Sequence, residues 1–174
     1  FLEIGMGGSH SCARDRSGQV WCWGHGRNGR LGTGGTIDSL APTRVIGLDS
    51  TTKITVGSSH SCAIQANRVW CWGGRELIGD GSSEVRFIPI RLPEPLDITD
   101  IAGGGSHTCA LNASGEAWCW GTNTANQLGN GQTSTVELAP VKVDTTQRFK
   151  RIFAGGASCG IAMDDRVWCW GNNS

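Results

Sequence analysis

The sequence lacks a net charge of either sign. Its 15 Lys and Arg residues balance its 15 Asp and Glu residues, so the formal net charge at pH 7 is zero. Lysine is scarce and occurs only at Lys53, Lys142 and Lys150. A protein that binds nucleic acid through the phosphates carries a basic patch or stripe. The composition therefore argues against nucleic acid as the partner.

Long apolar runs and tyrosine are also missing. A membrane-spanning helix needs roughly 18 or more apolar residues in succession. No segment has them, so we expect no insertion into a membrane. Leu, Ile, Val and Phe together form only about a fifth of the residues, near the lower bound for a packed core. Eight Trp residues and the zero net charge nevertheless argue against intrinsic disorder.

What the sequence does contain is a repeated pattern of cysteine and tryptophan. The string Trp-Cys-Trp-Gly occurs four times and uses every Trp in the chain, namely Trp21, Trp23, Trp70, Trp72, Trp118, Trp120, Trp168 and Trp170. Another Cys lies nine or ten residues before the Cys of each string, and these upstream residues recur at steps of 50, 47 and 50. Residues 1–174 therefore form a single domain of units at about 1–50, 51–97 and 98–147, with a partial unit at 148–174.

Each complete unit predicts four short β-strands and almost no helix. It opens with an apolar run, passes through a Gly-rich bend into the first Cys, and reaches the Trp doublet after a turn. The last apolar run of each complete unit follows Pro42, Pro89 or Pro140. A period near 50 with four strands is typical of β-propeller blades. We therefore expect an all-β propeller with about three and a half blades present.

The pleat of a strand predicts where the tryptophans lie. Side chains two residues apart share a face of a strand, so Trp21 and Trp23 point one way while Val20 and Cys22 point the other. A strand with large apolar groups on one face and a compact Cys on the other fits a sheet that is covered on both sides. We expect all eight Trp residues to form the core between blades.

The two cysteines of each unit are predicted to lie opposite each other across a hairpin. Turn signals such as Ala66-Asn67 and Ala113-Ser114-Gly115 separate them. This register brings their Cα atoms within the range that a disulfide accepts. The predicted pairs are Cys12 with Cys22, Cys62 with Cys71, Cys109 with Cys119, and Cys159 with Cys169.

Two alternatives to disulfides stay open. The cysteines could be buried thiols in a reducing compartment, or they could bind a metal ion together with the recurring His10, His60 and His107. Disulfides are favoured because no Cys-x-x-Cys occurs and because the fourth unit has Ala157 where the histidine should be. They indicate an oxidising location, which means a secreted, extracellular or cell-surface protein.

The third unit carries the clearest family likeness. Residues 105–123 read Gly-Ser-His-Thr-Cys-Ala-Leu-Asn-Ala-Ser-Gly-Glu-Ala-Trp-Cys-Trp-Gly-Thr-Asn, and residues 126–131 read Asn-Gln-Leu-Gly-Asn-Gly. This string resembles the regulator-of-chromosome-condensation repeat, and the likeness covers essentially the whole chain. The resemblance implies a seven-bladed β-propeller, of which this chain would form about half. Further blades from a longer parent chain, or self-association, would complete the ring.

The same resemblance bears on function only in part. The cysteine-containing variety is similar to repeats found in exported bacterial proteins. No activity carries over, because propellers of this family serve as exchange factors, inhibitors, receptor ectodomains and scaffolds.

No residue of the chain shows a pattern typical of catalysis. The histidines at 10, 60 and 107 recur in every complete unit, whereas a catalytic base is needed once, so we expect them to hydrogen-bond the neighbouring backbone. His25 is predicted to be an exposed loop residue. The carboxylates show no spacing suited to acid–base work, and the Gly-rich stretches lack the ending of a phosphate loop. We predict no catalytic residue, no cofactor and no metal, and therefore no enzyme.

Binding is predicted to reside in the loops that differ from unit to unit, because propeller loops vary while the blades hold them still. The candidate residues are Arg27, Asn28, Arg30, Arg75, Glu76, Glu84, Arg86, Thr122 and Asn123. We expect a scaffold that recognises another protein or a cell-surface glycan. One alternative is a nuclear exchange-factor or chromatin-associated propeller. The other is a sugar-binding propeller that uses its Trp residues as platforms.

Overall fold

The computed structural model describes residues 1–93 and 97–172, and these residues form antiparallel sheets that follow one another along the chain. The first sheet contains β1 (Glu3–Met6), β2 (His10–Arg14), β3 (Val20–Gly24) and β4 (Ser39–Arg44). The second contains β5 (Thr51–Val56), β6 (His60–Gln65), β7 (Arg68–Gly73) and β8 (Arg86–Arg91). The third contains β9 (Ile98–Gly103), β10 (His107–Asn112), β11 (Ala117–Thr122) and β12 (Val136–Lys142). The fourth contains β13 (Phe149–Ala154), β14 (Ser158–Ala162) and β15 (Val167–Trp170).

The sheets are arranged as propeller blades. Within each sheet every strand pairs with the next strand in sequence. The first strands β1, β5, β9 and β13 contact one another from sheet to sheet, so they surround a common axis. The strands β4, β8 and β12 lie outermost. The prediction of an all-β propeller with about three and a half blades is confirmed.

Helix is almost absent, as the sequence predicts. Within the described residues, the single helical element is a turn of 3-10 helix at Arg27–Gly29. No helix in this part of the chain is long and apolar enough to cross a membrane.

Each blade presents two different faces to its neighbours. The cystine face carries the disulfide, and the tryptophan face carries the Trp doublet, because residues two apart point the same way. At the first interface, Cys12 and Cys22 of the first blade share an apolar cluster with Trp72 of the second blade. The next two interfaces repeat this arrangement with Trp120 and Trp170. The core is therefore a series of cystine faces packed against tryptophan faces.

The predicted Trp core is uneven. Trp72 and Trp120 are completely buried, and they supply the large apolar area that the low aliphatic content cannot. Trp21, Trp23, Trp70, Trp118 and Trp170 are partly buried. Trp168 departs from the prediction, since it is 41% exposed. The reason is that, among the described residues, no fourth strand pairs with β15 as β4, β8 and β12 do in the other sheets.

All eight cysteines form the predicted disulfides, one within each blade. The pairs are Cys12–Cys22, Cys62–Cys71, Cys109–Cys119 and Cys159–Cys169. Each pair occupies directly opposite positions on the second and third strands of its sheet. The structure therefore favours disulfides over free thiols or a metal site.

Candidate functional site

The two ends of the propeller carry different segments. The turn end holds the hairpin turns between the second and third strands of each blade. The loop end holds the Gly-rich bends between the first and second strands, together with the long connections between the third and fourth. Antiparallel pairing places these bends and connections at the same end. The long connections, called the rim loops below, span residues 25–38, 74–85 and 123–135.

The predicted binding residues all lie in or next to the rim loops. The structure leaves four charged residues among them exposed: Arg27, Arg75, Glu76 and Glu84. Asn28 and Thr122 are partly buried. No described residue forms an ion pair or side-chain hydrogen bond with the guanidinium of Arg27 or Arg75. These charges are therefore available to a partner.

Arg30, a predicted binding residue, does not belong to this exposed set. The residue is 8% exposed, and its guanidinium lies across the junction of the first two blades. Its Nη1 donates to Ser9 Oγ and to Ser58 O, the latter at 3.3 Å, and its Nε donates to Arg27 O at 2.8 Å. Its carbonyl accepts a hydrogen bond from Trp72 Nε1 at 2.9 Å. Arg30 therefore holds the first rim loop against the next blade.

Asn123, another predicted binding residue, is likewise buried. Its side chain is 2% exposed within the third rim loop. Its Nδ2 donates to Asn130 Oδ1 and Ser134 Oγ, both at 3.3 Å, and its Oδ1 accepts from Leu128 N at 3.1 Å. Asn123 therefore closes this loop on itself.

Arg86 also has internal partners. Its Nε donates to Asp80 Oδ2 at 2.7 Å, and its Nη2 donates to Ser82 Oγ at 3.0 Å. Asp80 Oδ1 in turn accepts from Ser82 N at 3.0 Å. Arg86 is partly buried, and its guanidinium is bonded within the second rim loop. It therefore stabilises the conformation of that loop.

The rim loops are also bonded to the outer strand of the following blade. Gly34 N donates to Phe87 O at 3.0 Å, and Gly81 N donates to Leu138 O at 2.8 Å. Sequence reasoning missed these bonds because a backbone contact between blades leaves no side-chain pattern. They hold the exposed loop residues on a rigid frame.

The recurring histidines form hydrogen bonds between blades. His10 Nε2 lies 2.8 Å from Ser61 Oγ, His60 Nε2 lies 2.7 Å from Thr108 Oγ1, and His107 Nε2 lies 2.7 Å from Ser158 Oγ. The sequence predicts bonds from these histidines to the neighbouring backbone, but the structure instead presents a hydroxyl of the next blade to each Nε2. Burial lowers the pKa of His60 to about 3. Burial, and then the nearby Arg30 cation, lowers the pKa of His10 to about 4. Both rings are neutral at pH 7 and serve the blade interfaces.

His25 is exposed, as predicted, and pairs with an acid. Its Nδ1 lies 3.0 Å from Asp38 Oδ2, and Asp38 Oδ1 also accepts from Gly26 N at 2.8 Å. The Gly26 hydrogen bond, with the smaller effect of His25, holds the pKa of Asp38 below its usual range. Within the described chain, no hydroxyl or thiol bonds to this pair, so it has no attached nucleophile.

Charged side chains of alternating sign join the first strands near the turn end. Structurally matching positions of the four blades hold Glu3, Lys53, Asp100 and Arg151. Lys53 Nζ contacts Asp100 Oδ1, and Arg151 Nε lies 3.5 Å from Asp100 Oδ2. Asp100 Oδ2 also accepts from Ile152 N at 3.0 Å. The buried carboxylate of Asp100 therefore links three blades.

A depression of about 230 Å³ lies at the loop end, where the Gly-rich bends meet. Its lining is mostly glycine, with Met6, Val56, Ser58 and Ala154 as the side chains. No titratable side chain lines it, so it offers shape and backbone groups but no acid–base chemistry. Residues 1–93 and 97–172 contain no group of three or more His, Cys, Asp or Glu side chains that could hold a metal ion.

Family profiles match most of the chain. The profile described as "Regulator of chromosome condensation (RCC1) repeat" matches residues 17–64, 67–111 and 114–161. A second profile with the same description matches residues 2–30 and 98–127. The chain belongs to the RCC1 repeat family. Each RCC1 segment of the first profile begins near the turn end of one blade and ends in the second strand of the next, so the sequence repeat is offset from the structural blade.

Known proteins support the same assignment. The chain is 36% identical over 165 residues to the Ultraviolet-B receptor UVR8 of Arabidopsis thaliana, an alignment that covers 88% of this chain and 37% of UVR8. The structure superimposes on human WBSCR16 with a TM-score of 0.88 at 22% identity, covering 98% of this chain and 46% of that one. It superimposes on yeast RCC1 (Prp20), solved with Kap60 bound, with a TM-score of 0.82 at 24% identity, covering 98% and 43%. The chain therefore spans less than half the length of each of these proteins.

Proposed function

We propose that this chain is a non-enzymatic part of an RCC1-type propeller that binds a protein partner through its loop end. The observation that carries the proposal is the group of exposed, unneutralised charges on the rim loops. Arg27 and Arg75 extend from two neighbouring blades, and Glu76 and Glu84 lie in the same second loop. Charges of both signs on one surface suit a protein partner better than a uniformly negative nucleic acid.

The frame beneath these residues supports a binding role. Arg30 holds the first rim loop, and the backbone bond from Gly34 to Phe87 fixes the same loop to the second blade. A preorganised loop loses little conformational freedom on binding, so more of the contact energy contributes to affinity. The structure solved for yeast RCC1 with Kap60 is a precedent for protein binding within the family.

We place the protein in an oxidising compartment, secreted or on the cell surface, because all eight cysteines are paired. The nuclear alternative requires reduced thiols. A glycan partner has weaker support, because Trp72 and Trp120 are buried between blades and cannot serve as sugar platforms.

Charge reversal on the loop end tests the binding proposal. The double variant Arg27→Glu with Arg75→Glu is compared with Arg16→Glu, an exposed residue at the turn end. Each protein, tagged and with its disulfides intact, is used to capture partners from extracts of its source, and bound proteins are quantified by mass spectrometry. We expect a partner retained by wild type and by Arg16→Glu to be lost about tenfold or more from the double variant. A partner that all three proteins retain equally would place the binding site elsewhere.

A further inference from the structure

Arg30 carries a buried positive charge that no acid in the described part of the chain neutralises. The ion pairs among residues 1–93 and 97–172 do not include it. The carboxylate of Asp38 belongs to the same rim loop, but its oxygens are bonded to Gly26 N and to the His25 ring. A buried charge without a counterion is costly for a protein. The cation therefore needs a reason other than packing.

The fold does not require a charge at this position. The second and third rim loops hold Leu77 and Gln127 there, each two residues before the glycine that faces a Trp of the next blade. The carbonyl of Leu77 accepts a hydrogen bond from Trp120 Nε1 at 3.1 Å, just as the carbonyl of Arg30 accepts one from Trp72 Nε1 at 2.9 Å. A neutral side chain therefore suits the packing of blade on blade in two of the three loops, so the charge of Arg30 serves another purpose.

The guanidinium of Arg30 is held in place, but one of its nitrogens remains unbonded. Nε donates to Arg27 O at 2.8 Å, and Nη1 donates to Ser9 Oγ and to Ser58 O. Nη2 has no hydrogen-bond partner among the described residues, and it is not one of the unpaired atoms that are shut off from solvent. Because a guanidinium is planar and the other two nitrogens are bonded, the N–H groups of Nη2 face solvent in a fixed direction.

Arg27 places a second cation beside the first. Its guanidinium is exposed and, within the described chain, has no ion pair or hydrogen bond. Burial, and then the charge of Arg27, lowers the pKa of Arg30, and the opposite effect of Asp38 is smaller. The electrostatic potential at this part of the loop end is therefore positive. An anion from outside the chain would compensate both charges.

We propose that Arg30 and Arg27 bind a carboxylate of the protein partner, supplied by an Asp or Glu side chain in an acidic segment. Arg30 Nη2 donates to a carboxylate oxygen, and the exposed Arg27 contacts the same group from the solvent side. Hydrogen bonds between a guanidinium and a carboxylate are about twice as strong as neutral ones. Because Arg30 lost its rotamer freedom on folding, it loses little more on binding. This carboxylate site rests on the proposed function, since it names the group that the loop end recognises.

A short acidic peptide probes the site directly. The peptide acetyl-Gly-Glu-Glu-Gly-amide is compared with acetyl-Gly-Gln-Gln-Gly-amide, which has nearly the same shape but no charge. Each is titrated into the isotopically labelled 174-residue chain with its disulfides intact, in a phosphate-free buffer. NMR follows the Nε–Hε signal of Arg30 and the backbone amides. We expect the Glu peptide to shift Arg30 and its neighbours saturably, and to bind at least about tenfold more tightly than the Gln peptide.

Two variants with the same loss of charge locate the site. Arg30→Gln introduces the residue that the third rim loop carries at this position, so the variant should fold, as urea unfolding verifies. It should bind the Glu peptide at least about tenfold more weakly, measured on the amides of Gly29 and Leu31. Arg16→Gln removes an exposed charge at the turn end and should bind like wild type.

Three results would overturn the carboxylate site. They are equal binding of the two peptides, equal binding by the two variants, and shifts of the Arg30 signal by inorganic phosphate but not by the Glu peptide. The last result would assign the site to a phosphate group.

The capture experiment separates this site from the loop-end proposal. Arg30→Gln should lose the partner that the Arg27→Glu, Arg75→Glu double variant loses. If Arg30→Gln retains that partner, the carboxylate site is wrong and the loop-end proposal stands. If the double variant retains every partner while the Glu peptide still shifts Arg30, the loop-end proposal is wrong and the carboxylate site stands.

Discussion

The buried histidines show at the scale of single residues how burial determines chemistry. Each uses Nε2 to contact a hydroxyl on the next blade, which leaves Nδ1 of His10 and of His60 without a hydrogen-bond partner in the described part of the chain. A neutral ring tolerates an unpaired nitrogen, but a protonated ring would bury an uncompensated charge. The burial of these histidines between blades therefore makes the stability of the fold sensitive to acid.

Acid should weaken the fold through these histidines. Their folded pKa lies near 3 to 4, below the ordinary value of 6.5, so between these limits the unfolded chain binds more protons than the folded one. Stability is therefore fully present above pH 6.5 and falls as the pH drops toward 4. Protonation of His10 alone should lower the free energy of unfolding by about 3 kcal/mol. Urea unfolding at roughly pH 7.5, 5.5 and 4.5 measures this slope.

A histidine variant identifies the source of this pH dependence. His60→Gln removes a buried titrating ring, so it should flatten the dependence of the unfolding free energy on pH. If the variant showed the same pH dependence as the wild type, burial of this imidazole would not be a cause.

The rim loops show at the scale of elements why the repeat needs particular glycines. Gly32, Gly79 and Gly129 have positive φ values of 68°, 85° and 63°, and each lies against the second Trp of the next blade. A Cβ at Gly79 would lie 2.7 Å from Trp120 Cδ1. Trp120 Nε1 also donates to Leu77 O at 3.1 Å, so the indole cannot withdraw without losing a hydrogen bond. The glycine permits both the backbone turn and the close approach of the indole.

Substitution at Gly79 should therefore cost more than backbone strain alone. The control is Gly47→Ala, because Gly47 has φ 77° and a Cβ there would meet nothing within 4 Å. We expect Gly47→Ala to lower the free energy of unfolding by about 1 kcal/mol. Gly79→Ala should lower it by roughly 2–4 kcal/mol, since overpacking adds to the strain. Urea denaturation measures both, and equal losses would show that the contact with Trp120 is unimportant.

The whole molecule is a series of repeated interfaces, and its disulfides differ by their place in that series. The cystine faces of the first three blades are covered by the next blade, so Cys12, Cys62 and Cys109 are at most 1% exposed. In the fourth blade, Cys169 is exposed on the outermost strand. Cover by a neighbouring blade, and not local sequence, determines which disulfide of this chain a reductant can reach.

Reduction of the folded protein should follow this difference. A mild thiol reductant at neutral pH should open Cys159–Cys169 first, because thiolate attack needs access to a sulfur. Alkylation followed by peptide mass spectrometry identifies the opened pair. The three covered disulfides should become reducible only on unfolding, when the intact mass rises by about eight units in all. Simultaneous opening of all four pairs in the folded state would contradict the protection of the interfaces.

Sequence reasoning succeeds where the signal is local. The hairpin turns between paired cysteines predict the disulfides, because turn length alone sets which residues of two adjacent strands are opposite. The alternation within each Trp-Cys-Trp string predicts the two faces of a blade for the same reason. The structure also places the candidate residues from the variable loops at one end of the propeller, and their role in binding stays a prediction.

The strands, the repeat and the cysteine pairs of this RCC1-type protein follow from its amino-acid sequence alone. The packing of blade on blade is what buries Arg30 and brings Nε2 of each buried histidine to a hydroxyl. The physical reason is the distance along the sequence over which each effect acts. Strand period and turn length act over a few residues, whereas exposure and hydrogen-bond partners between blades depend on residues about 20 to 50 positions apart that meet only after the blades pack around their axis.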